Sequence, residues 1–116
     1  MRKSWIAGVV AIGAIALVPA LGGIASGAPK ATIKLGDNFF NPSTKRVTTG
    51  TTVRFRWVGS RRHNVKKRSG PGGDFVSRTT KARGVNFAKR FTRAGTYRLI
   101  CTIHPKTMRM KLTVVR

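Results

Sequence analysis

From Ala31 onward, apolar and polar residues alternate in short runs separated by turn-forming residues. Ile33 and Leu35 fall on one side of the first run, with Lys34 on the other. In Thr52–Val58, Val53, Phe55 and Trp57 point one way and Arg54 and Arg56 the other. A period of two sends successive side chains to opposite faces of an extended chain, so each run predicts a strand with one buried face. Val85, Phe87 and Phe91 form another such set. Tyr97, Leu99 and Cys101 share a face of the next strand, and Leu112 and Val114 share a face of the last, opposite Lys111, Thr113 and Val115. Asp37-Asn38, Asn41-Pro42-Ser43, Gly50, Gly70-Pro71-Gly72-Gly73 and Ala94-Gly95 carry turn chemistry. No segment sustains a helical period and no repeat is visible. The expectation is an all-β chain folded as a compact antiparallel sandwich.

The first residues follow a different pattern. Arg2 and Lys3 precede an apolar run from Trp5 to Ile24, and small residues follow at Ala25-Ser26-Gly27-Ala28. A basic start, an apolar stretch and a small-residue exit describe a secretory signal peptide. Residues 1–27 are expected to be that signal, cut after Gly27, and residues 28–116 the folded domain. Left uncut, the run approaches the ~20 residues needed to span a bilayer and would act as an N-terminal anchor. Either way the domain is expected outside the cytoplasm: secreted, periplasmic, or on the extracellular side of the cell envelope.

Composition narrows the chemistry. The chain has 116 residues, with 24 Lys plus Arg against 2 Asp plus Glu. Removing residues 1–27, Arg2 and Lys3 with them, leaves 89 residues with a net charge of +20. Asp37 and Asp74 are the only carboxylates, too few for paired-acid hydrolysis or a carboxylate cage around Mg²⁺ or Ca²⁺, and both read as turn residues. One cysteine excludes an internal disulfide, a Cys-rich zinc site and an iron–sulfur cluster. A domain this small buries only about 60–65% of its unfolded surface, so a bound metal would be a useful staple. A lone thiol in an oxidising compartment is a liability unless something occupies it.

Candidate chemistry gathers at His63, in Arg62-His63-Asn64-Val65, and at Cys101-Thr102-Ile103-His104-Pro105-Lys106-Thr107-Met108. Together they use both histidines and the only cysteine. Two imidazoles, a thiolate and a thioether suit copper: a trigonal His₂Cys set with a weak axial Met is the blue-copper arrangement. The expected fold places Cys101 at a strand end and Met108 at the start of the next strand. One loop then supplies three ligands, and His63 arrives from a neighbouring strand end.

In these residues the chain resembles the cupredoxins, the small blue copper proteins that include plastocyanin, amicyanin and pseudoazurin. Phe40-Asn41-Pro42 through Val47, then Gly50-Thr51-Thr52-Val53, look like the family's opening strands. His63-Asn64-Val65 matches its first-ligand motif. Phe91, Ala94-Gly95-Thr96-Tyr97 and Cys101-x2-His104-Pro105 match its approach to the copper loop. The resemblance implies a Greek-key antiparallel β-sandwich of the cupredoxin type binding one type 1 copper ion. His63, Cys101 and His104 would be equatorial ligands and Met108 the axial one. Asn64 would tie the two ligand segments together, and Pro105 would stiffen the loop and remove an N–H beside the site. The interval of three residues between His104 and Met108 lies between the shorter amicyanin-like and the longer plastocyanin-like loops. Met110 is the second candidate axial ligand; Met108 is preferred because it preserves the family's spacing into the last strand.

The resemblance implies an electron carrier rather than an enzyme, with the electron leaving through His104. Arg61 and Arg62 precede His63, and Lys106 and Arg109 lie in or beside the loop, so a redox partner with an acidic face is expected to dock there. Such a ring of cations also disfavours Cu(II) and raises the reduction potential. A monomer is expected, with electrostatic association to an anionic cell envelope. No nucleic-acid partner is expected, since stacking aromatics are few. Two other readings stay open: a copper carrier or sequestering protein outside the cytoplasm that uses the same ligands, and a secreted cationic polyanion-binding protein on a cupredoxin scaffold that uses outward Arg54, Arg56, Arg90 and Arg98, with copper incidental. A Cys–His hydrolase is the weakest, because no orienting third group accompanies Cys101 and His104.

Overall fold

A computed structural model describes residues 29–116, so the expected signal segment lies outside the described residues. The strands are β1 (Lys30–Gly36), β2 (Phe39–Asn41), β3 (Thr44–Thr48), β4 (Thr51–Trp57), β5 (Lys66–Ser69), β6 (Gly84–Phe91), β7 (Gly95–Ile100) and β8 (Arg109–Val115), with no helix among the described residues. They form two four-stranded sheets, ordered β2-β1-β4-β6 and β3-β8-β7-β5. The sandwich read from the alternation is present, but its pairing is mixed: β1 runs parallel to β4 and β3 parallel to β8, while the other neighbours are antiparallel. A tight turn can join only antiparallel neighbours. After β1 and β2 the chain crosses to the other sheet as β3, so β4 re-enters beside β1 in the same direction.

Between the sheets lies one apolar core. Ile33 and Leu35 of β1, Val53, Phe55 and Trp57 of β4, Tyr97 and Leu99 of β7, and Met110, Leu112 and Val114 of β8 are all buried in it. Arg54 and Arg56 stand outward between the buried positions of β4, as the period of two requires. Phe91 packs edge-on against Tyr97 with ring centroids 5.0 Å apart.

One expectation needs correcting, and one strand has no signal in the alternation. Val85 does not share the inward face with Phe87 and Phe91 but is exposed. Phe87 pairs with Phe55 and Val85 with Arg56, so Asn86 is an extra residue in the ladder, and the bulge flips the face N-terminal to it. Strand β5 carries no apolar alternation because its inward residue is Lys67. That side chain is buried, and its ammonium donates to the carbonyls of Pro71, Gly72 and Gly73 at 2.8, 2.7 and 3.0 Å. The Gly70–Gly73 turn supplies the acceptors that make a buried cation tolerable.

Candidate metal centre

Cys101 follows directly on β7, and Met108 directly precedes β8, so the ladder between those strands fixes both ends of the loop. The loop closes on itself through its backbone. Cys101 N–H donates to Met108 O at 3.0 Å, His104 N–H to Cys101 O at 3.2 Å, and Met108 N–H to His104 O at 2.8 Å. These bonds turn eight residues back so that the Cys101 and His104 donors come together and Met108 returns beside Cys101 through its backbone. Cys101 and Met108 are fully buried, while His104 is half-buried.

His63 comes from the long connection between β4 and β5. Its backbone forms a two-way bridge with Thr80 (N–H to O at 3.0 Å, O from N–H at 3.1 Å). Trp57, at the end of β4, donates its indole N–H to both carbonyls, at 3.2 Å to His63 and 3.0 Å to Thr80. Asn64 then joins the two ligand segments. Its carbonyl oxygen accepts from Thr102 N–H at 2.8 Å, and its amide donates to Thr102 Oγ1 at 2.9 Å and Thr79 Oγ1 at 3.0 Å.

A third segment, the β1–β2 turn, also reaches the site. Asp37 accepts from His63 Nε2 at 3.0 Å, from Ser60 N–H at 3.0 Å and from Arg61 N–H at 2.9 Å. The His63 bond first, then the two amides, hold the Asp37 carboxyl well below the usual carboxylate range. No side chain fits at Gly59, where a Cβ would lie 2.2 Å from Asp37 Oδ1. Asn38, at φ 75°, accepts a hydrogen bond from the Thr107 hydroxyl. Asp37 was read from sequence as a turn residue. It does sit in a turn, but it also sets the ring of His63, and no local pattern could show a partner 26 positions away.

Because Asp37 occupies Nε2, the other ring nitrogen of His63 faces inward: Nδ1 lies 4.0 Å from the Cys101 sulfur. His104 Nδ1 is buried and makes no hydrogen bond among the described residues. The donor atoms of His63, Cys101 and His104 all lie within 4.8 Å of one another. A buried imidazole nitrogen without a partner, beside a buried thiol and a second oriented imidazole, fits a thiophilic metal ion better than it fits a packed core. Met108 stands at the same end of the sandwich. Met110 lies one inward position further along β8, paired with Leu99.

The other predicted residues divide. Arg61 lines the opening over His104, together with Asp37 and Asn38, around a cavity of about 410 Å³. Arg62, Pro105 and Lys106 are exposed near the ligands in sequence. Arg109 lines a separate groove on the outer face of the second sheet. Met108 and Met110 point inward, so the residue between them must point out.

A buried His₂Cys cluster with a nearby methionine at one end of a β-sandwich defines the class of small blue copper proteins, the cupredoxins. The sequence matches the copper binding proteins of the plastocyanin/azurin family over residues 28–115, and the chain belongs to that family. Members of this family bind one copper ion. No curated protein sequence matches the chain. Among solved structures it is similar to an amicyanin variant in its reduced state, with a TM-score of 0.65 and 26% identity over 73% of this chain and 81% of that one. A second amicyanin variant, with Cu(I), gives a TM-score of 0.66 at 26% identity and the same coverage. The Cu-containing nitrite reductase from Thermus scotoductus SA-01 is also similar (TM-score 0.64, 26% identity over 75% of this chain), but the match spans only 22% of that enzyme's length.

Proposed function

We propose that this protein is a one-electron carrier acting outside the cytoplasm, in which His63, Cys101 and His104 hold a copper ion and Met108 stands as the axial ligand. The observation that carries the reading is the convergence of three donor atoms within 4.8 Å, with His104 Nδ1 buried and unpaired. Copper held there would supply a one-electron couple between Cu(I) and Cu(II).

The chain's own residues do the rest. Asp37 and the Trp57-anchored backbone fix His63, and Asn64 keeps its segment in register with Cys101. His63, Cys101 and Met108 are closed to water, so the half-exposed ring of His104 is the face of the site that a partner meets. A sealed thiol also argues against nucleophilic catalysis, and we assign no catalytic residue. Arg61 lies beside that ring, and Arg62 and Lys106 are exposed close by in sequence. The partner therefore presents an acidic face, and association slows as salt rises.

The test is a visible absorption spectrum on titration with Cu(II), alongside a Cys101→Ser control. The expected result is an intense blue thiolate-to-copper band that saturates at one equivalent and is absent from the control, with a reversible one-electron couple. A folded protein with a reduced thiol and no such band would overturn the reading. A band without a reversible couple would favour copper carriage.

A further inference from the structure

Cations stand outward on both sheets, Lys34 facing Arg56 across the first as Arg98 faces Lys111 across the second. On the outer face of the second sheet, Arg68 of β5, Arg98 of β7, and Arg109 and Lys111 of β8 line one groove of about 250 Å³ with Ser43. All four cationic side chains are exposed. Neither carboxylate of the chain lines the groove: Asp37 is engaged with His63, and Asp74 lies in the loop beyond Gly73. Arg98 and Lys111 are direct cross-strand partners on that face. Like charges directly opposite destabilise a sheet, and here no protein anion relieves them.

The spacing limits what could. Adjacent strands lie about 4.8 Å apart and alternate residues about 6.8 Å along a strand. The four cations therefore spread over roughly 10 Å across the sheet and roughly 7 Å along it, with flexible side chains reaching inward. That footprint is wider than one phosphate and suits several in succession. Guanidinium forks favour phosphate oxygens, and Ser43 adds a neutral donor. The lining contains no aromatic ring on which a base could stack.

We propose that this groove is a binding site for a linear phosphate polymer without stacking bases, separate from the metal centre. Its occupant neutralises the Arg98–Lys111 pair and holds the protein by a face other than the His104 opening, so that the copper end stays free. The site makes no use of copper and stands whether or not the electron-carrier reading does.

The probe is linear tripolyphosphate, titrated calorimetrically into the full-length protein at low ionic strength. Arg98→Gln with Lys111→Gln is expected to weaken binding at least about tenfold, the scale of losing charge-assisted hydrogen bonds. Arg54→Gln with Arg56→Gln removes the same charge from the outer face of the other sheet and is expected to change binding less than about threefold, through general electrostatics alone. Arg68→Gln with Arg109→Gln is a second test on the same groove, and thermal unfolding of each variant checks that it is folded. Binding should also survive Cys101→Ser, which separates this site from the metal centre. Equal weakening by the groove pairs and the Arg54/Arg56 pair would overturn the proposal. So would orthophosphate binding as tightly as tripolyphosphate, no tripolyphosphate binding, or an oligothymidylate of equal charge binding more tightly.

Discussion

The loop from Cys101 to Met108 and the segment around His63 bring donors to the same point by opposite means. The loop is nearly self-sufficient: three of its own backbone hydrogen bonds close it, and the β7–β8 ladder holds its ends. His63 has no such local frame. Its ring is set by Asp37 from the β1–β2 turn, its carbonyl by Trp57 of β4, and its neighbour Asn64 by Thr79 and Thr102. One half of the site is specified by a short stretch of chain and the other by the packing of the whole sandwich. Damage to distant residues should therefore reach the site through His63 first.

Asp37→Ala is the sharpest break. It leaves His63 Nε2 and the amides of Ser60 and Arg61 without their shared acceptor. Copper affinity should fall by about 10- to 100-fold, the usual cost of losing the group that orients a metal-binding histidine. The midpoint of the copper couple should rise as an anionic neighbour disappears. Competition with a chelator and voltammetry read the two effects, and Asp37→Asn should recover part of the affinity but not the midpoint.

Asn64→Ala comes next. It orphans the Thr102 amide and cuts the link between the segments, which should cost about 1–3 kcal/mol in denaturant unfolding. If the loop is as self-contained as its hydrogen bonds imply, apo stability should fall more than copper affinity. The reverse order would place the critical link at the ligands themselves.

The two methionines sharpen the contrast within the loop's own half. Both are buried, and exchange of Met for Leu conserves volume, so each swap should cost less than about 1.5 kcal/mol. Met108→Leu should alter the blue absorption and the midpoint, whereas Met110→Leu should leave both unchanged. Identical spectra for the two variants would remove Met108 from the axial position.

The smallest effect lies at Tyr97, whose hydroxyl donates to Arg93 O at 2.7 Å. Burial raises its pKa, with Arg93 opposing, so the fold favours the neutral phenol. Its contribution to stability is complete below the unfolded value of about 10 and is lost as pH rises through the higher folded value. Because the chain has a single tyrosine, phenolate absorbance in native and denatured protein reads this directly.

Much of this protein was legible because its determinants are local. The alternation of Val53, Phe55 and Trp57 against Arg54 and Arg56 defines β4 through a period that any extended chain must obey. Cys101, His104 and Met108 lie within one loop, so spacing alone suggests their convergence. What was not legible depends on residues that meet only after folding. Lys67 hides β5, because its inward cation makes sense only once the carbonyls of Pro71, Gly72 and Gly73 surround it. One bulge opposite Phe55 and Arg56 turned Val85 outward against a regular pattern. The parallel pairs β1–β4 and β3–β8 follow from the crossover between sheets, which hydropathy does not encode. Asp37 became a partner of His63, and Arg109 part of a groove with Arg68 and Arg98, for the same reason. Sequence determines which face each residue presents and which donors one loop can gather. Only the tertiary structure decides which faces and turns come within hydrogen-bonding reach, because those contacts join residues tens of positions apart.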